Sequence, residues 1–530
     1  MEAHRPQDLG DLDPAAIVGR ARAAYDEGHL AAAADLALLA SDAGVARGDR
    51  SAVLAAALAW TGVPDPRMAT ATEHLCRQAL RMQDPADVAL AARLHGQRSV
   101  ALHLLERFDE ARAEAQAAGS LADSTQDPMA GIAARHARQL DIAGVGSGLA
   151  LADLGEQMLA DAGRTPDPDA GLLARSCRLE GRLRVGDTAG ARHDIAALEV
   201  HATRTGRPLD RWNALLARAG LEQALGGFAD AEVHAREARA ALPPDQRPHT
   251  EPLFAAQLLL ISTDTAHEPE EAVDARGFIV GGPLIAIAMT GRFDLELGNR
   301  ARARLALEAV RYRLDDIALD RRGLPTLTAA VELAAAFSDV ELATAIGERL
   351  APFDGAMIVS ALGAVGPVAH FLGIVDRLRG EAAAAVAHAT SATTLATKGG
   401  FGPWAARSRL ALAEALALDG SAGMRRAPRE ATLALEAATQ LGMRGLVARA
   451  SGLADRLNSS RRLSSREAEI AGLIASGASN RQIADRLVLS ERTVETHVQH
   501  VLEKLDFQSR TQVAAWAVEV DLPRPPGPLP

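Results

Sequence analysis

At 530 residues the chain is longer than one compact core can fill, so several domains or an extended array are expected. Apolar residues make up 48 % but aromatics only 3 %, which leaves alanine and leucine to do the packing and favours stacked helices over a β-sandwich. A net charge of −11 excludes a nucleic-acid binder over its whole surface. The two cysteines, Cys76 and Cys177, are too few for a disulfide framework or zinc cluster and point to a reducing, cytoplasmic compartment.

In chain order, the N-terminal MEAHRPQDLGDLDP is acidic and polar, with no signal-peptide character. From about Pro14 to Leu457, Ala/Leu-rich helical segments alternate with short Gly, Pro and Asp breaks, and no stretch reads as a strand. One pattern recurs: a Gly-like turn position, a spacer two on, then small or apolar residues at offsets five, nine and twelve. It appears as Gly28, Leu30, Ala33, Ala37, Ala40 and as Phe108, Ala111, Ala115, Ala118. It returns as Gly186, Thr188, Ala191, Ile195, Leu198, and most clearly as Gly226, Phe228, Ala231, Ala235, Ala238. Weaker copies begin at Gly298, Ser338, Gly380 and Gly420. The anchors lie roughly 40 residues apart, or near twice that, which for an all-helical repeat means a solenoid of helical hairpins. Alanine lets paired helices approach closely and glycine permits the tight turn.

The pattern resembles the tetratricopeptide repeat in a longer, degenerate form. The stretches Gly366–Ala389 and Gly400–Leu416 resemble the helical-repeat region of large bacterial LuxR-type regulators. Those regulators carry an ATP-hydrolysing module ahead of their repeats. No G-x-x-x-x-G-K-[ST] occurs here, so an effector-and-DNA portion without that switch is expected. The glycine-rich Gly144–Gly148 follows helical sequence and reads as an inter-helix loop, and Glu268–Glu271 as a solvated turn. The charge-free run Gly355–Val375 is long enough to span a bilayer, but its glycines, Pro367 and His370 make it a buried helical turn region. A polar hinge, Asn458–Arg462, closes the array; after Leu522, PRPPGPLP forms a proline-rich tail.

Between hinge and tail, serine caps place four short helices. Ser464 with Glu467, Ser479 with Gln482 and Ser509 with Gln512 form capping boxes. Helix one turns Ile470, Leu473 and Ile474 inward and ends at Gly477; helix two turns in Ile483, Ala484 and Leu487; helix four turns in Val513, Ala514 and Ala517. Ser490 caps the third helix, SERTVETHVQHVLEKL. There Val494, Val498, Val501, Leu502 and Leu505 form an apolar stripe, while Arg492, Glu495, Thr496, Gln499 and Glu503 share another face. A buried stripe beside a row of hydrogen-bonding side chains suits reading base edges in a major groove.

The run LSSREAEIAGLIASGASNRQIADRLVLSERTVETHVQHVLEKLDFQSRTQVAAWA resembles the LuxR-type helix-turn-helix domain, also found in NarL-like response regulators, through LSSRE, GASNRQIADRL, LSERTVETH, EKL and SRTQ. Region four of sigma factors is the nearest confusable case, but the rest of a sigma factor is missing. The resemblance implies base reading by Glu495, Thr496 and Gln499, and phosphate contacts from Ser479, Asn480, Arg481, Arg492, Thr493, Lys504 and Arg510. It also implies pairing of two domains through the helix that contains Trp516. Relatives often have lysine at the position of Glu495, whose carboxylate can accept from cytosine N4 but not face guanine acceptors or phosphates. Eight basic and nine acidic side chains from Arg461 to Leu522 leave this part at −1, so weak non-specific affinity and a need for a dimer or partner are expected.

The expected architecture is all-α. Residues 1–457 form a tetratricopeptide-like sensor or interaction solenoid, 458–462 a linker, 463–522 a four-helix LuxR-type helix-turn-helix domain and 523–530 the tail. The expected function is a bacterial transcription regulator, homodimeric on DNA. Its array senses a small-molecule or protein effector; no catalytic set, cofactor, metal site or membrane segment is expected. The rival is an interaction scaffold with a vestigial helix-turn-helix.

Overall fold

The computed structural model describes residues 13–60, 66–142, 147–244, 250–267, 283–320, 323–360, 362–461, 463–505 and 507–519. Gly144–Gly146, the acidic turn at Glu268–Glu271, the N-terminal dozen residues and the proline-rich tail lie outside these. The described fold is all-α apart from one small hairpin. No described helix is long and apolar enough to cross a membrane.

Helices follow one another from Pro14–Asp26 to Arg444–Arg461, each packed mainly on its sequence neighbours. The recurring pattern has a direct structural meaning. Gly28, Gly186, Gly226, Gly298 and Gly380 all adopt positive φ, as do the non-glycines Glu106 and Ser338 at the equivalent turns. The residues at offsets five, nine and twelve are then buried, for example Ala33, Ala37 and Ala40, or Ala385, Ala389 and Ala392. A left-handed residue terminates one helix and aims the next back along it; the small residues let the pair close. The copy at Gly420 has a different register. Arg425, Arg429 and Thr432 are exposed, and Ala427, Ala431 and Ala434 face inward instead. The helix Gly420–Leu441 starts at the glycine itself and carries Pro428 within it, which shifts the buried face by two residues.

Distant parts of the array also meet. Leu209, Trp212, Leu216, Ala238 and Leu242 join the core of the first four helices. A polar seam runs alongside. Arg22 Nη2 donates to Asp169 Oδ2 at 3.1 Å, Arg207 holds Asp169 Oδ1 and reaches Asp26 Oδ1 at 3.3 Å. Burial alone would raise the Asp169 carboxyl, but hydrogen bonds and charge from Arg207 and Arg22 hold it below the usual carboxylate range.

The run Gly355–Val375 departs from expectation. Met357–Ser360 and Gly363–Pro367 form an antiparallel hairpin before the helix Val368–Arg379. The hairpin packs on the helices Ala170–Val185 and Pro208–Leu225, with Val359, Ala364 and Val365 buried. Gly366 has φ +134°, and a Cβ there would lie 2.9 Å from the Trp404 ring. Gly366 is thus demanded by a strand lying flat on an indole, while Gly363, also at positive φ, is packed against the Gln223 side chain. Ala364 N–H donates to Gln223 Oε1 at 3.0 Å and Trp404 Nε1 to Ala364 O at 3.1 Å, which satisfies both buried backbone groups.

The expected hinge at Asn458–Arg462 is also different: the helix Arg444–Arg461 continues through its first four residues. Asparagine, serine and arginine all tolerate a helical backbone, so polarity there does not require an extended chain.

Candidate nucleic-acid interface

Ser465–Ala475, Asn480–Leu487, Glu491–Leu505 and Arg510–Glu519 are the four C-terminal helices. Ile470, Leu473, Ile474, Ile483, Val494, Val501 and Val513 close around one another as their core. All three capping boxes form. Ser464 N–H donates to Glu467 Oε2 at 2.6 Å, Ser479 N–H to Gln482 Oε1 at 2.9 Å and Ser509 N–H to Gln512 Oε1 at 3.1 Å, each answered by the reverse bond to serine Oγ. Ser490 Oγ accepts from Thr493 N–H at 3.0 Å and starts the third helix. The connecting turn places Val488 at φ 53°, with 91 % of it exposed.

On the third helix Val494, Val498 and Val501 are buried and Leu502 is half-buried. Arg492, Glu495, Thr496 and Gln499 are exposed. The side chains on that face are partly committed. Thr496 Oγ1 donates to Arg492 O at 3.0 Å, leaving its methyl and lone pairs outward. Gln499 Nε2 donates to Glu503 Oε1 at 3.0 Å, which leaves its carbonyl to accept. The helix Arg444–Arg461 touches the third helix without covering this face.

The residues expected at phosphates divide into two groups. Ser479 caps helix two, Arg481 is exposed on its first turn, and Thr493 bonds Ser490 Oγ at 2.6 Å. Lys504 and Arg510 are engaged within the domain, although Lys504 stays exposed and Arg510 only half-buried. Arg510 Nη1 donates to Asn480 Oδ1 at 2.6 Å and Nη2 to Ala478 O, clamping helix four to the start of helix two. Burial pulls the Arg510 guanidinium below its ordinary pKa. Lys504 Nζ donates to Glu467 Oε2 at 2.7 Å. Burial pushes the Glu467 carboxyl up, but bonds from Lys504 and from the Ser464 N–H and hydroxyl outweigh it and hold it at about 2. Sequence reading identified Glu467 as a capping partner; its second role was hidden because Lys504 is far away in the chain. Trp516 packs on Phe507, ring centroids 6.3 Å apart. Glu467, His497 and His500 also converge, with one ligand atom each within 4.8 Å, but the lysine ammonium already holds that carboxylate.

The sequence profile described as "Bacterial regulatory proteins, luxR family" matches residues 461–517. These residues form a LuxR-family helix-turn-helix domain. The DNA-binding transcriptional activator DevR/DosR of Mycobacterium tuberculosis (strain ATCC 25618 / H37Rv) is 40 % identical over 82 residues, 16 % of this chain and 38 % of that protein. The transcriptional regulatory protein LiaR of Bacillus subtilis (strain 168) is 46 % identical over 55 residues, 10 % of this chain and 26 % of the relative. The nitrate/nitrite response regulator protein NarL of Escherichia coli (strain K12) is 46 % identical over 54 residues, 10 % of this chain and 25 % of its own. The chain therefore spans between a quarter and two fifths of these relatives' length. Within the LuxR-type domain, helices two and three stand in sequence as a helix, turn and helix, and Arg492, Glu495, Thr496 and Gln499 form an exposed row on the third helix.

Proposed function

We propose that the protein is a bacterial transcription regulator. Its tetratricopeptide-like array senses an effector and governs whether two LuxR-type domains dock on a two-fold-related DNA site. The observation that carries this is the division of one helix. Val494, Val498 and Val501 anchor it in the domain core while Arg492, Glu495, Thr496 and Gln499 stand in solvent, clear of the array. Glu495, Thr496 and Gln499 read base edges, with Gln499 offering its carbonyl and Glu495 accepting from cytosine N4. Ser479, Asn480 and Thr493 position backbone N–H groups at phosphates, Arg481 and Arg492 supply charge, and Trp516 belongs to the pairing helix. Lys504 and Arg510 contribute by holding the domain together rather than as primary phosphate contacts. The expected setting is cytoplasmic.

A specific observation favours the second reading, a scaffold with a vestigial helix-turn-helix: the domain is at −1 overall and two of its cations are committed internally. Genome-wide mapping of DNA bound by purified full-length protein, followed by titration on a recovered site, separates the two. The regulator reading expects salt-dependent binding that Gln499→Ala or Thr496→Ala weakens by about 1–3 kcal/mol, with unchanged circular dichroism. Failure to enrich any site, or binding indifferent to both substitutions, selects the scaffold.

A further inference from the structure

A cavity of about 370 Å³ opens where the helices Leu284–Glu296, Gly323–Ala336, Val368–Arg379, Gly402–Leu416 and Arg444–Arg461 converge. It lies beyond the LuxR-type domain, in an acidic protein, yet five arginines face only three glutamates around its wall. The pairing is incomplete. Arg407 is satisfied, with Nη2 3.0 Å from Asp264 Oδ1 and Nη1 3.4 Å from Glu296 Oε1. Arg377 and Arg449, however, share the single carboxylate of Glu414 at 3.5 and 3.7 Å, both too long for a strong bond. Arg292 is 3 % exposed and meets Glu332 on one side only; its Nη2 has no hydrogen-bond acceptor among the described residues.

A buried guanidinium N–H without an acceptor is costly and asks for a partner that arrives from outside. The surroundings hold that cation in place. Arg292 and Arg407 both lie over the Trp404 ring, 5.2 and 5.7 Å from its centroid. His370 is buried beside the same arginines. Burial first, then the charges of Arg407, Arg292, Arg449 and Arg377, press its pKa well below the ordinary value. Leu295, Ile374 and Leu446 supply apolar wall between the charges. A space of this volume, part apolar with a few convergent polar groups, suits a small molecule.

We propose that this cavity binds a small organic anion, a carboxylate or phosphate on a compact apolar body, received by Arg292, Arg377 and Arg449. As the effector site it rests on the reading of the array as the sensing part. The placement gives the anion a route to the DNA-binding end. Leu446 and Arg449 belong to the helix that runs on to Arg461 and packs against the recognition helix. An anion that draws Arg449 from Glu414 shifts the element carrying that domain.

The test uses the full-length chain with four probes: inorganic phosphate, phenyl phosphate, benzoate and, as neutral counterpart, benzyl alcohol. Calorimetry and thermal shift should show saturable binding of benzoate or phenyl phosphate and none of benzyl alcohol; which of the two binds tighter assigns the headgroup. Arg377→Gln with Arg449→Gln, both at the open side of the cavity, should weaken that binding about tenfold or more while leaving the melting profile intact. Arg292→Lys is the second variant and should weaken it too. Lack of saturation by any anion, equal binding of benzyl alcohol, or full affinity in both variants overturns the site. DNA binding is read on the same preparations. Anion binding without DNA binding sinks the regulator and leaves the site, and DNA binding without anion binding does the reverse.

Discussion

Val488 is a β-branched residue in left-handed backbone with its side chain almost wholly in water. It carries the strain of the helix-turn-helix turn and returns no packing for it. Val488→Asn should therefore stabilise the C-terminal domain by about 1 kcal/mol, seen as slower hydrogen exchange at the Ile470 and Val494 amides. Glu467 makes an opposite case. Its pKa is lower folded, about 2, than in an unfolded chain, so its contribution is complete above the unfolded value and disappears as pH falls toward 2. Hydrogen exchange of this domain should accelerate across that window, and Glu467→Gln should flatten the acid dependence while costing on the order of 1–2 kcal/mol at neutral pH. On the face proposed to meet DNA, Arg481→Ala and Arg492→Ala should each lower the slope of binding against salt by about 1 without changing site preference. An unchanged slope in either variant removes that residue from the phosphate set.

Among the elements, the capping boxes and the third helix were legible because their signals are local: a serine and its partner three residues on, a valine stripe at helical spacing. The hairpin was not. Gly363 and Gly366 look like helix breakers in one dimension, and the indole that Gly366 lies against belongs to Trp404, a residue of another helix. Gly366→Ala should cost about 2–3 kcal/mol through both its positive φ and the indole contact, with loss of exchange protection at Ala364 and altered Trp404 emission. The hairpin also joins a buried chain of bonds. Ala364 N–H meets Gln223, whose Nε2 donates to Asp264 at 2.7 Å, and Asp264 in turn holds Arg407. Disturbing the hairpin therefore reaches the arginine-lined cavity, a link between parts of the chain that no local pattern announces.

For the whole molecule, contacts join residues far apart in the chain, Arg22 to Asp169 across 147 positions and Asp169 to Arg207 across 38. Asp169 stands between Arg22 and Arg207 and ties the first helix to the eleventh described one. Asp169→Ala removes the more buried of the two carboxylates that Arg22 and Arg207 share, leaving Asp26, and should cost about 2 kcal/mol. The loss should appear as weakened exchange protection over Pro14–Asp26, with the LuxR-type domain unaffected. The amino-acid order alone determined the all-α class, the periodic turns with their buried alanines, and the helix-turn-helix with its exposed row. Each of these depends on neighbours within a dozen residues, where backbone preference and helical period act directly. Only the tertiary structure decided that Lys504 bonds Glu467 and Arg510 bonds the start of helix two, that Gly355–Val375 opens as a hairpin, and that five arginines surround one cavity. Charge compensation and close approach depend on which side chains the folded chain brings within a few ångströms, and that distance is not written in the spacing of the sequence.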